Sequence, residues 1–420
     1  MEWLVFLIFV VFLILRVPVA FALAISSLIM FYVQDFNLIT VTQKIYNGLD
    51  STTLMAIPGF IFAGIIMTRG GIAKYLIEFL KSWVGHISGG MAVVTILACM
   101  IFAAISGSSP ATAAAIGSIM IPGMMNAGYS KKYAMGLVAA GGTLGILIPP
   151  SLSFILYGAV TGTSIGDLFI AGILPGIFLG LVLITSAIIY ARKNNFGKLP
   201  QASWSERKAA SIKAIPGGLL PFIIFYTIYG GIATPTESAV IACVYGLIVS
   251  IFIYKEIKIK DIKPVLVETV QLTSMIFMII AAAIIFGLYL TNNQIPQAIA
   301  SWIIDSNFNK WMFLAMVNIL LFILGTFLEG VAIILITMPL FFPILGQLGI
   351  NPIHFAVIIV VNLELAMITP PVGLNLFVVS GVAKEKLENV IKAIVPYIFL
   401  MIAVLIIIIV WPELSLMLVE

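Results

Sequence analysis

The chain has 420 residues, of which 62% are hydrophobic and only 9% charged, with a formal net charge of +4 and a mean hydropathy of +1.20. Soluble domains carry roughly 45–50% apolar and 25% charged residues, so this composition excludes a soluble enzyme and describes a polytopic membrane protein of about ten crossings of roughly 20 residues each. The modest excess of Lys and Arg sits in loops, so it bears on orientation and not on nucleic acid.

In chain order, the opening MEWLVFLIFVVFLIL carries Glu2 where a secretory signal would be basic. No small-residue cleavage site follows Arg16, so the segment reads as a first span. A second span follows Pro18 and a third ends near Arg69. Residues 72–83 then place Lys74, Glu78 and Lys81 on one helical face and Ile72, Leu76, Phe79, Leu80 and Trp83 largely away from them, the pattern of a helix lying along the interface.

From 91 to 125 the chain is apolar except for SGSSPAT at 106–112. Two arms of about 12 residues are each too short to cross, so a re-entrant hairpin with a polar tip is expected. The next span, 133–162, is interrupted by Pro149 and Pro150, which remove two backbone donors and cannot sit inside an undisturbed helix. The connection from Arg192 to Lys213 is the longest polar one and is too short for a folded catalytic module. Cys99 and Cys243 lie in apolar runs and read as buried thiols.

The second half echoes the first. GTLGILIPPSLSFILYG at 142–158 pairs with LAMITPPVGLNLFVVSG at 365–381, which sets Pro149 and Pro150 opposite Pro370 and Pro371. ILRVPVAFALAI at 14–25 pairs with GIATPTESAVIA at 231–242, and SSPATAAAIGSIMIP at 108–122 with GTFLEGVAIILITMP at 325–339; IFAGIIMTRGGIAKYL at 61–76 likewise pairs with IIFGLYLTNNQIPQAI at 284–299. The expected architecture is all-α, with two repeats, 1–210 and 211–420. The second holds its own hairpin, 312–345, and broken helix, 356–382.

Basic residues cluster in the loop 192–213 (Arg192, Lys193, Lys198, Arg207, Lys208, Lys213), at Lys131 and Lys132, and in 255–263 and 384–392. The positive-inside rule makes these cytoplasmic. Counting spans from them inverts the second repeat relative to the first and puts both termini in the periplasm. Inverted repeats with discontinuous helices belong to secondary transporters, in which unwound carbonyls hold a coupling cation and half-helix N-termini face an anionic substrate.

The residues fit that chemistry. Ser106, Ser108, Ser109 and Thr112 offer hydroxyls beside the carbonyls freed by Pro149 and Pro150, and Gly325, Thr326 and Thr369 mirror them. Candidate substrate contacts are Ser109, Thr112, Ser151, Ser153, Thr326 and Asn375. Glu237, Glu329 and Glu364 are costly at membrane depth and are functional candidates by default, although Glu237 can equally lie near the outer surface. The Ser, Gly and Ala content of 103–117 can also serve close helix packing alone. His86 and His354 are too far apart for a helical HExxH zinc site, so an intramembrane enzyme is not expected.

At SGSSPATAAAIGS, GTLGILIPPS, GIATPTESA and TPPVGLN the chain resembles the large membrane subunit of tripartite ATP-independent periplasmic (TRAP) transporters, over its whole length. The resemblance implies an elevator-type ion-transporter-like fold in a bacterial inner membrane. It also implies Na⁺ coupling without an organic cofactor, a small four-helix membrane subunit, and a periplasmic binding protein that delivers a C4-dicarboxylate or, by preference, sialic acid. Carried over by motif, one Na⁺ site uses Ser106 and Ser108 with carbonyls near Gly145, Ile148 and Pro150. Its partner uses Gly325, Ala366, Thr369 and Pro371 or Val372. A stand-alone dicarboxylate or anion exchanger of related architecture is the alternative.

Overall fold

The computed structural model describes residues 2–194, 196 and 199–419; Lys198, one of the basic loop residues, lies outside them. The chain begins with α1 (Leu4–Ile14), α2 (Val19–Val33), α3 (Leu38–Leu49), α4 (Ala56–Arg69) and α5 (Ile72–Val84). A helical pair follows, α6 (Gly90–Ser106) and α7 (Ser109–Asn126), then α8 (Lys131–Thr143), a 3₁₀ turn Leu144–Ile146, α9 (Leu152–Thr161) and α10 (Ile165–Lys193). The second half runs α11 (Trp204–Tyr229), α12 (Pro235–Ile248), α13 (Ile259–Asn292), α14 (Ile295–Asp305), α15 (Lys310–Gly325), α16 (Gly330–Leu345), α17 (Pro352–Met367), α18 (Leu374–Ala383), α19 (Leu387–Val410) and α20 (Glu413–Leu416).

Among the described residues, five helical segments are by themselves long and apolar enough to cross a bilayer: Ile165–Lys193, Trp204–Tyr229, Pro235–Ile253, Ile259–Asn292 and Leu387–Val410. The remaining apolar helices are shorter, and Pro18, Gly107 and the two Pro-Pro pairs separate several of them. α4 and α5 form one long apolar stretch bent by 61°, at Gly71 with φ +80°. Beyond the bend, α5 buries Ile72, Ala73, Leu76, Ile77 and Leu80 and leaves Lys74 and Glu78 exposed. Trp83, expected on the apolar side, is 39% exposed.

The centre of the molecule is made of helices without a polar face. Every residue of α8 from Tyr133 to Thr143 is buried, as is every residue of α17 from His354 to Ala366. Such all-round burial removes the need for an amphipathic stripe. Polar groups inside find each other: Asn362 on α17 donates to Asn318 on α15, 2.9 Å to Oδ1 and 3.0 Å to the carbonyl. Ion pairs tie the helix ends that carry basic loops, Lys131 to Glu385 at 2.8 Å, Lys74 to Glu256 at 3.4 Å and Arg69 to Glu268 at 2.5 Å.

Candidate functional site

The α6–α7 pair closes on itself at Ser106-Gly107-Ser108. Gly107 takes the left-handed conformation (φ +58°) that ends α6, and Ser108 starts α7 by accepting the Ala111 N–H at 3.4 Å. Thr112 Oγ1 donates to the Ser108 carbonyl at 2.9 Å and lies 2.9 Å from Ser106 Oγ. The tip is therefore a small, self-bonded knot of hydroxyls and one carbonyl.

This tip is pressed against the break between α8 and α9, and both contacts need glycine. A Cβ on Gly145 would lie 2.6 Å from the Ser108 carbonyl oxygen, and one on Gly107 would lie 2.6 Å from that of Pro150. Ser151 caps α9 and donates to the Ile146 carbonyl at 2.5 Å, while the Leu147 carbonyl is pressed against Gly172 on α10. The Ser108 carbonyl of the tip thus faces the break at Gly145, and the Pro150 carbonyl of the break faces the tip at Gly107. Ile148 turns its side chain toward Gly176 on α10.

In the second half Gly325 packs on Ala366, where a Cβ would come within 2.3 Å of the Ala366 methyl. Thr326 and Thr369 bond back to their own helices, to Ile323 and Leu365 carbonyls at 2.7 Å each. Gly373 holds φ +39° where α18 begins, close to the Thr369 carbonyl. Pro371 and Val372 face outward, Val372 being 42% exposed. The first break is buried and the second is open on one side.

Asn375 connects the halves. Buried completely, it donates from Nδ2 to Ser109 Oγ at 2.7 Å and toward the Ala139 carbonyl at 3.4 Å, and its Oδ1 has no partner among the described residues. Nothing in the sequence repeat announced this cross-link, because it joins non-equivalent positions. A cavity of about 280 Å³ lies on the other side of the tip. Ser106, Gly107, Ser108 and Pro150 line it from the first half, Glu329 from the start of α16, and Gly64, Thr68, Arg69 and Glu268 from α4 and α13. Ser109, Thr112, Ser151, Ser153, Thr326 and Asn375, the expected substrate contacts, are packed behind these surfaces and do not line the cavity. Arg69, which lies in no interruption, contributes the guanidinium there.

The acidic candidates separate. Glu329 faces the cavity. Glu237 forms a reciprocal cap with Thr234 at the start of α12, accepting from Thr234 N at 2.7 Å and Oγ1 at 2.9 Å; its geometry is that of a helix start. Glu364 is fully buried in α17 and neither carboxyl oxygen has a partner among the described residues. His354 is buried beside Ser415, with Nδ1 3.2 Å from its Oγ.

The chain is similar to several known proteins. The YdaH transporter of Alcanivorax borkumensis aligns with a TM-score of 0.60 at 14% identity, over 89% of this chain and 87% of that one, a likeness of fold alone. The C4-dicarboxylate TRAP transporter large permease protein DctM of Pseudomonas aeruginosa is 48% identical over 89% of this chain and 87% of its own length. Its counterpart in Vibrio cholerae is 43% identical over 96% and 94%. The profile of the tripartite ATP-independent periplasmic transporter DctM component matches residues 6–414, and the chain belongs to that family of large membrane permeases.

Proposed function

We propose that this chain is the membrane permease of a Na⁺-coupled importer of an organic acid, working in a bacterial inner membrane by an elevator movement. The observation that carries the proposal is the meeting of the first hairpin tip, the first Pro-Pro break and Glu329 of the second hairpin around one cavity whose far wall is α4 and α13. Cations bind where oxygens converge without water: Ser106 Oγ with the Ser108 and Pro150 carbonyls on one side, and the Gly325, Ala366 and Thr369 surroundings on the other, with Pro371 or Val372 completing it. The charged residues lining the cavity are Arg69, Glu268 and Glu329, one positive and two negative when ionised. An organic anion entering there is favoured by cations arriving with it, which is the electrostatic reason for symport.

In this reading the chain is two inverted repeats with ten full spans, re-entrant hairpins at 91–125 and 312–345, and both termini periplasmic. The helices carrying the tips and breaks move against α4 and α13 as a body, and the cavity beside Arg69 and Glu268 opens toward the basic, cytoplasmic end. A small four-helix subunit and a periplasmic binding protein complete the transporter, consistent with the tripartite family and with a relative whose name joins the two membrane parts, the isethionate permease DctMQ of Oleidesulfovibrio alaskensis. A C4-dicarboxylate is the substrate to test first. Relatives at 48% and 43% identity bear that name, whereas the sialic acid permease SiaM of Vibrio cholerae is 34% identical; sialic acid, preferred on general resemblance to the family, is tested beside it.

The test is uptake of radiolabelled succinate, with sialic acid in parallel, into proteoliposomes holding this chain and its small subunit, with binding protein outside. Uptake is expected to require a Na⁺ gradient and the binding protein. Equal uptake with K⁺ replacing Na⁺ removes the coupling, and uptake by the chain alone from free substrate favours the stand-alone exchanger.

A further inference from the structure

Arg207 sits in the first turn of α11 with its guanidinium over the Trp83 ring, 5.5 Å from the centroid. Its Nε and Nη2 are shielded from solvent and have no hydrogen-bond partner among the described residues. Leaving buried donors of a charged group unpaired costs more than leaving neutral ones, so the position calls for an anion. Glu206, the neighbouring acid, is occupied in capping Ser203, and Glu78 on α5 is exposed to solvent.

Below Arg207 the same face of α11 continues through Ser211, Ala214, Gly218, Phe222 and Phe225, which line an apolar crevice of about 570 Å³. That volume is in the range of ligand sites, roughly 300–1,000 Å³. The opposite wall comes from Phe79 on α5, Met100 and Ala104 on α6, and Ile173 and Ile177 on α10. Ser211 lines the crevice and joins it to the cation: it accepts from Trp83 Nε1 at 3.0 Å and donates to the Arg207 carbonyl at 2.7 Å. At 1.5 Å per residue, the run from Ser211 to Phe222 is about 16 Å, about one leaflet of a hydrocarbon core roughly 30 Å thick. Trp83 and Trp204, edge to face at 5.8 Å, mark the interfacial level.

We propose that this crevice is a binding site for an anionic phospholipid, its phosphate on Arg207 and one acyl chain lying between α11 and the α6–α10 wall. A cation at an aromatic level above an almost wholly apolar slot matches the layout of a lipid molecule. The proposal depends only on the chain residing in a membrane. Because Ile148, two residues before Pro150, also lines the crevice, the lipid touches the break between α8 and α9.

The test is native mass spectrometry of the purified chain, with and without its small subunit, titrated with dioleoyl phosphatidylglycerol or dioleoyl phosphatidylcholine. One phosphatidylglycerol should be retained over phosphatidylcholine by about fivefold, the scale of one cation near an anionic lipid. Arg207→Gln should abolish that preference and Arg207→Lys should keep most of it. Gly218→Phe should expel both lipids while leaving Arg207 in place, since a side chain at Gly218 points into open space. Equal retention of the two lipids by the unmodified chain, unchanged preference in Arg207→Gln, or displacement of the lipid by the small subunit each overturns the proposal.

Discussion

At the scale of residues, Gly145 shows how a site is built from an absence. Its missing Cβ lets the broken helix approach the Ser108 carbonyl, and Gly145→Ala would drive a methyl to 2.6 Å from that oxygen, far inside van der Waals contact. Overpacking of this kind costs about 1–3 kcal/mol, so a lower melting temperature in detergent is expected together with weakened Na⁺ dependence. Ser106→Ala and Thr369→Ala remove a hydroxyl without adding bulk. Each should raise the Na⁺ concentration for half-maximal uptake by about tenfold, equivalent to about 1.4 kcal/mol, while the protein stays monodisperse. Normal uptake and unchanged Na⁺ dependence in both variants would remove these residues from the site. The hydroxyls were visible in SGSSPAT as a polar island in an apolar run. Which distant carbonyl approaches the tip was not, because the same peptide groups occur at every position and only packing brings the Pro150 oxygen to Gly107.

Elements explain why the interruptions stand where they do. Ser108 and Ser151 each begin a helix with a hydroxyl cap after a backbone that could not continue, and Gly107 and Gly373 supply positive φ at two such starts and stops. The same local chemistry accounts for Glu237, whose carboxylate and Thr234 cap each other. Thr234→Ala should lower stability by about 1 kcal/mol, read as a fall in melting temperature. Glu237→Gln should leave succinate uptake within about twofold of the unmodified level; a collapse of uptake at full stability would restore a transport role for this acid. TPTES has the T-x-x-E spacing of a capping box, and the structure realises it between Thr234 and Glu237 at the start of α12.

For the molecule as a whole, the helix ends carrying basic loops are held by contacts between distant segments. Lys131, before the first broken helix, bonds Glu385, after the second, at 2.8 Å. The hydrogen bonds from Lys131 and Asn389, then the Lys131 charge, hold the Glu385 carboxyl down at about 2 against an ordinary 4.5. A depressed folded value means the contact contributes above about pH 4.5 and fades as pH falls toward 2. The melting-temperature difference between the unmodified chain and Lys131→Met should therefore be steady near neutrality and shrink below about pH 4.5. A difference that grew on acidification would contradict the pairing.

Hydropathy, the Pro-Pro pairs and the polar tip specified on their own an all-helical membrane chain, the places where its helices stop, and the hydroxyls beside those stops. These are local properties: a proline lacks its N–H, and an apolar arm of given length either reaches across a bilayer or does not. Tertiary structure alone decided that Asn375 binds Ser109 across the two halves, that Arg69, Glu268 and Glu329 share a cavity, and that Ser109, Thr112 and Ser151 are packed behind it. Those outcomes depend on which helix faces meet, and residues separated by up to 266 positions become neighbours only when buried surfaces select one packing among many.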